Sequence, residues 1–192
     1  MKKIKLITVL TLTFLILSLP ALASANTYPK GTILQEQTVN SELMGKEMPY
    51  AVYLPADYEK SERYYHVIYL LHGAAQNENW WVHSGGVVET LNKAIAEGTI
   101  PPSIVVMPYG GEFSWYVNHI NGKAPVEDYI IEELLPHVDK NYRTIKSDAT
   151  YYRSRQFRAI GGLSMGGYGA MHLAMRHPNK FAVSFALSGA FT

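Results

Sequence analysis

The chain has 192 residues, 47% of them hydrophobic, with 17 Lys and Arg against 16 Asp and Glu. This is the composition of one globular domain, too apolar for a disordered chain, and a net charge of +1 lacks the basic surplus that nucleic-acid binding requires. With no cysteine, disulfides, thiolate metal sites, a thiol nucleophile and a lipid anchor on cysteine are all excluded.

Residues 1–25 read as an export signal. Met1-Lys2-Lys3-Ile4-Lys5 is a basic head, residues 6–19 are an uncharged apolar run, and Pro20 precedes the small residues Ala21, Ala23, Ser24 and Ala25. That order is a secretory signal peptide, cleaved after Ala25 or, alternatively, Ala23. The run is shorter than the roughly 20 residues of a spanning helix, so no stable membrane anchor is expected after cleavage. The signal holds three Lys and no acid, which leaves 14 basic and 16 acidic residues in the exported chain. The expected location is outside the cytoplasm: secreted, periplasmic or at the cell surface.

After the signal, residues 32–40 and 47–54 read as strands of a hairpin with its turn at Met44-Gly45-Lys46. The second strand carries Tyr50, Val52 and Tyr53 and is closed by Pro55. Residues 66–71 are a continuous apolar run, as in a strand buried on both faces, ended by His72-Gly73. Residues 87–97 have helical spacing with Gly98 as a stop. Residues 104–107 are a short buried strand before Pro108 and Gly110-Gly111. The spacing of Tyr129, Ile130, Leu134, Val138 and Tyr142 predicts an amphipathic helix over 126–142, with Glu127, Asp128, Glu132 and Glu133 where the helix dipole favours acids. Pro136 should kink or split it. A strand at 157–161, a helix at 165–176 and a strand at 181–187 follow. Strands alternating with helices after a hairpin predict an α/β sheet, parallel in its main part, with reactive groups beyond the carboxyl ends of its strands.

Gly162-Leu163-Ser164-Met165-Gly166 fits the G-x-S-x-G nucleophile elbow. A serine on a sharp strand-to-helix turn needs glycine two residues before and after it, or side chains collide across the turn. The turn lifts the serine oxygen clear of the sheet and aims N–H groups at the helix start toward the reacting carbonyl. Its context here is a strand before and a helix after. A phosphate loop is excluded because no Lys follows the glycines at the required place. In the elbow plan one oxyanion N–H comes from the residue after the serine, Met165, and one from the loop after the third strand, at Ala74. His72 reads as a brace for that loop rather than a base.

Several stretches together resemble the esterase-D/feruloyl-esterase-like family of α/β-hydrolases. They are Tyr50 to Pro55, Tyr69-Leu70-Leu71-His72-Gly73, Ser114-Trp115-Tyr116, Glu132 to Pro136, Arg158 to Gly167, His177 to Phe181 and Leu187-Ser188-Gly189-Ala190. The resemblance implies an α/β-hydrolase fold with helices on both faces of the sheet. It also implies hydrolysis of carboxylic esters, or acyl transfer as in the mycolyltransferases, without metal or cofactor. The substrate would be a small-molecule or polysaccharide-linked ester. Trp80, Trp81, Trp115 and Tyr116 would lie near the substrate, with ordinary loop packing as the alternative for these aromatics.

In this plan an acid and then a histidine follow the serine in chain order. After Ser164 there is no Asp or Glu, and His172 and His177 lie on or just past the helix leading away. At 1.5 Å per residue His172 is about 12 Å from the serine, beyond hydrogen-bond reach. His83 and His119 fall in loops, out of order for a base. The acid and histidine are therefore expected beyond residue 192, with residues 26–192 the N-terminal portion of a longer esterase domain whose last strands and helices are missing. The rival expectation is a hydrolase-like shell that binds without catalysing, or a decayed gene product.

Overall fold

The computed structural model describes residues 28–145 and 157–191; the export signal read at 1–25 lies outside them. The elements run β1 (Thr32–Ser41), β2 (Lys46–Leu54), β3 (His66–Leu71), α1 (Trp80–His83), α2 (Val87–Ala96) and β4 (Ser103–Pro108). They continue with α3 (Val126–Asp128), a π-helical segment (Tyr129–Leu134), α4 (Leu135–Asn141), β5 (Arg158–Leu163), α5 (Met165–Arg176) and β6 (Val183–Leu187). The strands form one sheet in the order β1-β2-β4-β3-β5-β6. β1, β2 and β4 pair antiparallel, while β4, β3, β5 and β6 run parallel. The hairpin turn is tight, with Gly45 at φ +64°, a conformation that favours glycine.

Alternation along the strands divides the core in two. Met48, Tyr50, Val52 and Leu54 of β2 face one way with Ile104 and Val106 of β4. Ala51 and Tyr53 face the other with Val105 and Met107. The first face is covered by Ile130, Leu134 and Val138 and by Ala170 and Leu173 of α5. Trp81, Val87 and Leu91 of α1 and α2 cover the second. The mostly parallel sheet agrees with the residue pattern, and the helices on both its faces agree with what the family resemblance implies.

Two expectations are refined. The helix predicted over 126–142 is split into α3, the π-helical segment and α4, although Asp128, Tyr129, Leu134 and Leu135 all keep right-handed helical angles. The chain widens to a π register over Tyr129–Leu134, where the N–H of Leu135 bonds to the carbonyl of Ile130. Pro136 then falls in the first turn of α4, where a missing N–H costs little. The first turn of the Trp-rich loop after β3 is helical (α1), which its short apolar run did not announce.

On β6, Val183, Phe185 and Leu187 are exposed, at 56%, 36% and 46%, so this sheet edge is apolar among the described residues. Phe181, just before it, is buried against Tyr69. β5 is tied to the helical face by Arg158, which pairs with Asp139 of α4; Asp139 also accepts a hydrogen bond from Thr144 at 2.8 Å.

A second charged tie joins α3 to the far end of α5. Glu127 is buried, and its two oxygens accept from His172 Nε2 (2.9 Å), Arg176 Nε (2.6 Å) and His177 Nε2 (2.8 Å). Burial alone would raise its pKa, but the hydrogen bonds from Arg176, His172 and His177 outweigh it and hold the carboxyl at about 2, below its ordinary 4.5. A carboxyl held low in the fold contributes stability above its unfolded pKa and loses it as pH falls toward 2. The wild-type unfolding free energy, from urea titrations, should therefore drop between about pH 5 and pH 2.5 in part because of this residue, by on the order of 2 kcal/mol. The variant Glu127→Gln should lack that component, so that the two stability curves converge as pH falls. Parallel curves over that range would contradict the assignment.

Candidate active site

The carboxyl ends of β3, β4, β5 and β6 converge on Ser164. The chain steps from β3 out to β4 and returns to the other side of β3 at β5, so a crevice opens where the strand order reverses. Ser164 occupies the turn between β5 and α5 with φ +53° and ψ −115°, a conformation L-residues rarely adopt. Its N–H donates to the Leu187 carbonyl at 2.9 Å, and its own carbonyl accepts from Tyr168 N–H at 3.0 Å. The Ser164 hydroxyl does not cap α5.

The glycines around it are required by space. A Cβ on Gly162 would stand 2.5 Å from the Gly166 backbone, and one on Gly166 would stand 2.4 Å from the Leu71 carbonyl oxygen and 2.6 Å from that of His72. The elbow is thus pressed directly onto the end of β3. Ala74 and Met165, the two residues read from the sequence as oxyanion donors, flank this junction. Met165 is the first residue of α5, where a helix leaves its N–H groups unpaired. Ala74 lies exposed in a turn whose next residue, Ala75, has φ +58° and donates its N–H to the Glu112 carbonyl at 2.9 Å. Neither Ala74 nor Met165 spends its N–H on a hydrogen bond among the described residues.

His72 is fully buried and braces the loop. Its Nε2 accepts from Gly110 N–H (3.3 Å), which leaves the proton on Nδ1 to donate to the Gly73 carbonyl (2.8 Å). Burial lowers its pKa and keeps the ring neutral.

The four aromatics expected near the substrate divide in two. Trp81 and Tyr116 are buried braces, which matches the loop-packing alternative for them. Trp81 donates its indole N–H to the Leu71 carbonyl at 3.2 Å, and the Tyr116 hydroxyl donates to the His72 carbonyl at 3.2 Å. Tyr116 packs where a Cβ on Gly110 or Gly169 would intrude, at 2.2 and 2.6 Å. Those two glycines are the sequence signal for its burial. Trp80 and Trp115 instead line clefts. One cleft of about 430 Å³ has Trp80, Tyr109, Gln76, Asn77, Glu78 and Glu112 on its walls. The other, about 350 Å³, is formed by Trp115, Val117, Tyr168 and Ala190. Tyr168 and Ala190 both donate N–H to the Ser164 carbonyl, so this second cleft borders the elbow. Neither residue stood out in the sequence.

No described histidine hydrogen-bonds Ser164. His172 and His177 are held by Glu127, His83 by Gln35, His137 by Tyr50, and His119 accepts from Asn121 N–H. Among the described residues no group of three or more His, Asp or Glu is placed to hold a metal ion.

Residues 41–191 match the sequence profile of a family described as "Putative esterase". The chain belongs to this esterase family of α/β-hydrolases. Within the family it is 37% identical, over 163 residues, to an endo-1,4-beta-xylanase/feruloyl esterase of Xylanibacter ruminicola, covering 81% of this chain and 21% of that protein. It is 34% identical over 141 residues to the esterase Rv1288 of Mycobacterium tuberculosis, covering 72% of this chain and 28% of that one. A solved ferulic acid esterase superposes with a TM-score of 0.75 at 31% identity, covering 83% of this chain and 61% of that chain. This esterase-family chain thus spans less than two thirds of the length of each of these relatives.

The spacing at the elbow sets a clear test. In the full-length protein Gly166→Ala should cost on the order of 3 kcal/mol or more, because the added methyl meets backbone rather than a movable side chain. A variant with an unchanged urea midpoint would show that the elbow is looser than described.

Proposed function

We propose that the protein, in its full-length form, is an exported serine carboxylic-ester hydrolase of the acetyl- or feruloyl-esterase type. The observation that carries this reading is the backbone of Ser164, held at φ +53° between β5 and α5 by glycines that admit no Cβ. Strain of this kind is kept where it serves a function. Family membership and the esterase names of its relatives support the same reaction class.

The chemistry runs through an acyl-enzyme. Ser164 Oγ attacks the ester carbonyl carbon and its proton passes to a histidine, which returns it to the departing alcohol. Water, deprotonated by the same histidine, then releases the acid. The N–H groups of Met165 and Ala74 stabilise the negative charge on the carbonyl oxygen in both steps. The described histidines are bonded to other groups or, for His66, lie at the amino end of β3 against Phe157, so this reading takes the base and its acid partner from outside the described residues. No metal or cofactor is called for by these steps.

Each half of an ester has a matching cleft, one bordering the elbow and one along the loop after β3. The cleft of Trp115, Val117, Tyr168 and Ala190 is aromatic and apolar and suits a hydroxycinnamoyl group. The cleft of Trp80, Gln76, Asn77, Glu78 and Glu112 offers amides, carboxylates and a ring to a hydroxyl-rich alcohol such as a polysaccharide unit. Export, read from residues 1–25, brings the protein to such polymers.

Ser164→Ala in the full-length protein should abolish hydrolysis of hydroxycinnamoyl and acetyl esters, by about 10⁴-fold or more, with an unchanged circular dichroism spectrum. Retention of most activity by the folded variant would refute the role of Ser164.

A further inference from the structure

The Glu127 cluster is more elaborate than a tie between two helices needs. Apolar packing joins helices at less cost, because burying a carboxylate demands that its charge be compensated on every side. Here a buried carboxylate receives three donors, all from the last two turns of α5 and the residue after it. What such an arrangement supplies beyond attraction is orientation.

The oriented group is the His172 ring. Bonded to Glu127 through Nε2, it runs parallel to the ring of Tyr168 in an offset stack, with centroids 5.9 Å apart and planes 14° from parallel. Tyr168 in turn meets the edge of Trp115 at 5.5 Å, with the planes 88° apart. Those two rings are the aromatic walls of the cleft bordering the elbow. Tyr168 is also fixed at its backbone, since its N–H bonds the Ser164 carbonyl. A continuous line of contacts therefore runs from Glu127 through His172 and Tyr168 to the wall of the cleft.

We propose that Glu127 is a positioning residue for substrate selection: acting through His172, it holds Tyr168 as a wall of the aromatic cleft and so sets the preference for an aromatic acyl group. The proposal rests on the esterase reading for its catalytic consequence, but its structural content concerns the cleft alone. Glu127 touches neither the reacting atoms nor the ester. With Gln at this position the charge is lost and an amide NH₂ faces donors, so the His172 ring is released and the Tyr168 ring loses its backing.

Two measurements on the full-length protein test this. The first is kcat and KM for a hydroxycinnamoyl ester and an acetyl ester of the same alcohol. Glu127→Gln should lower the hydroxycinnamoyl-to-acetyl ratio of kcat/KM about tenfold, mostly through KM. His172→Phe, which keeps a ring in place but loses the bond to Glu127, should shift the ratio the same way and serves if Glu127→Gln fails to fold. In a Tyr168→Ala background, Glu127→Gln should leave the ratio unmoved, the signature of two residues acting along one path. The second measurement is binding of free ferulic acid to the Ser164→Ala protein by tryptophan fluorescence, which Glu127→Gln should weaken about fivefold. A lowered melting temperature with an unchanged ratio and unchanged ferulate binding would overturn the proposal and leave the cluster a structural tie. Weakened ferulate binding in a protein that hydrolyses neither ester would instead overturn the esterase reading and leave the positioning role standing.

Discussion

The constraint on which the site depends is the backbone of Ser164. To hold a serine at φ +53° and ψ −115°, the chain must remove every side chain that would occupy the turn. Gly162 and Gly166 do so, and the vacated space is filled by the backbone at the end of β3, within 2.4 to 2.8 Å of where their Cβ atoms would be. The serine turn and the β3 loop are therefore one packed unit. Met165 and Ala74, the proposed oxyanion donors, lie on the two sides of this contact.

The packed unit is braced from several sides. His72, Trp81 and Tyr116 each direct a polar atom onto the backbone of the β3 loop or its neighbour after β4. Tyr116 also lodges against Gly169 of α5, so the loop after β4, the loop after β3 and the helix carrying the elbow share one side chain as a wedge. At its far end α5 is held by Glu127. The strain at Ser164 thus persists because the groups on either side of it are tied at many points. Two open clefts border this unit, a polar one along the loop after β3 and an aromatic one at the start of α5.

Much of this was legible in the sequence, for physical reasons. Alternating residues in β2 and β4 assign themselves to the two faces, and Gly-x-Ser-x-Gly specifies its turn because no other residues fit there. Other features depend on contacts that no local pattern reveals. Glu127 reads as a solvated acid in a helix first turn, yet its three partners lie 45 to 50 residues away. Pro136 announces a split in the helix, but not that the split takes the form of a π register over Tyr129–Leu134. Trp80 and Trp81 are neighbours of one type, and only the direction of α1 turns one to a cleft and the other to the Leu71 carbonyl. Tyr168 follows the elbow as an ordinary helical tyrosine, and its place on the cleft appears only when Trp115 is folded against it.

The central claim is that the strained serine is the nucleophile. The most direct measurement treats the full-length protein with an alkyl fluorophosphonate and locates the adduct by peptide mass spectrometry. The expected result is one phosphonylated residue, Ser164, in the peptide running from Ala159 to Arg176, at near-stoichiometric yield in the folded protein and lost on denaturation before treatment. No adduct in the folded protein, or an adduct at another hydroxyl with Ser164 unmodified, would contradict the account.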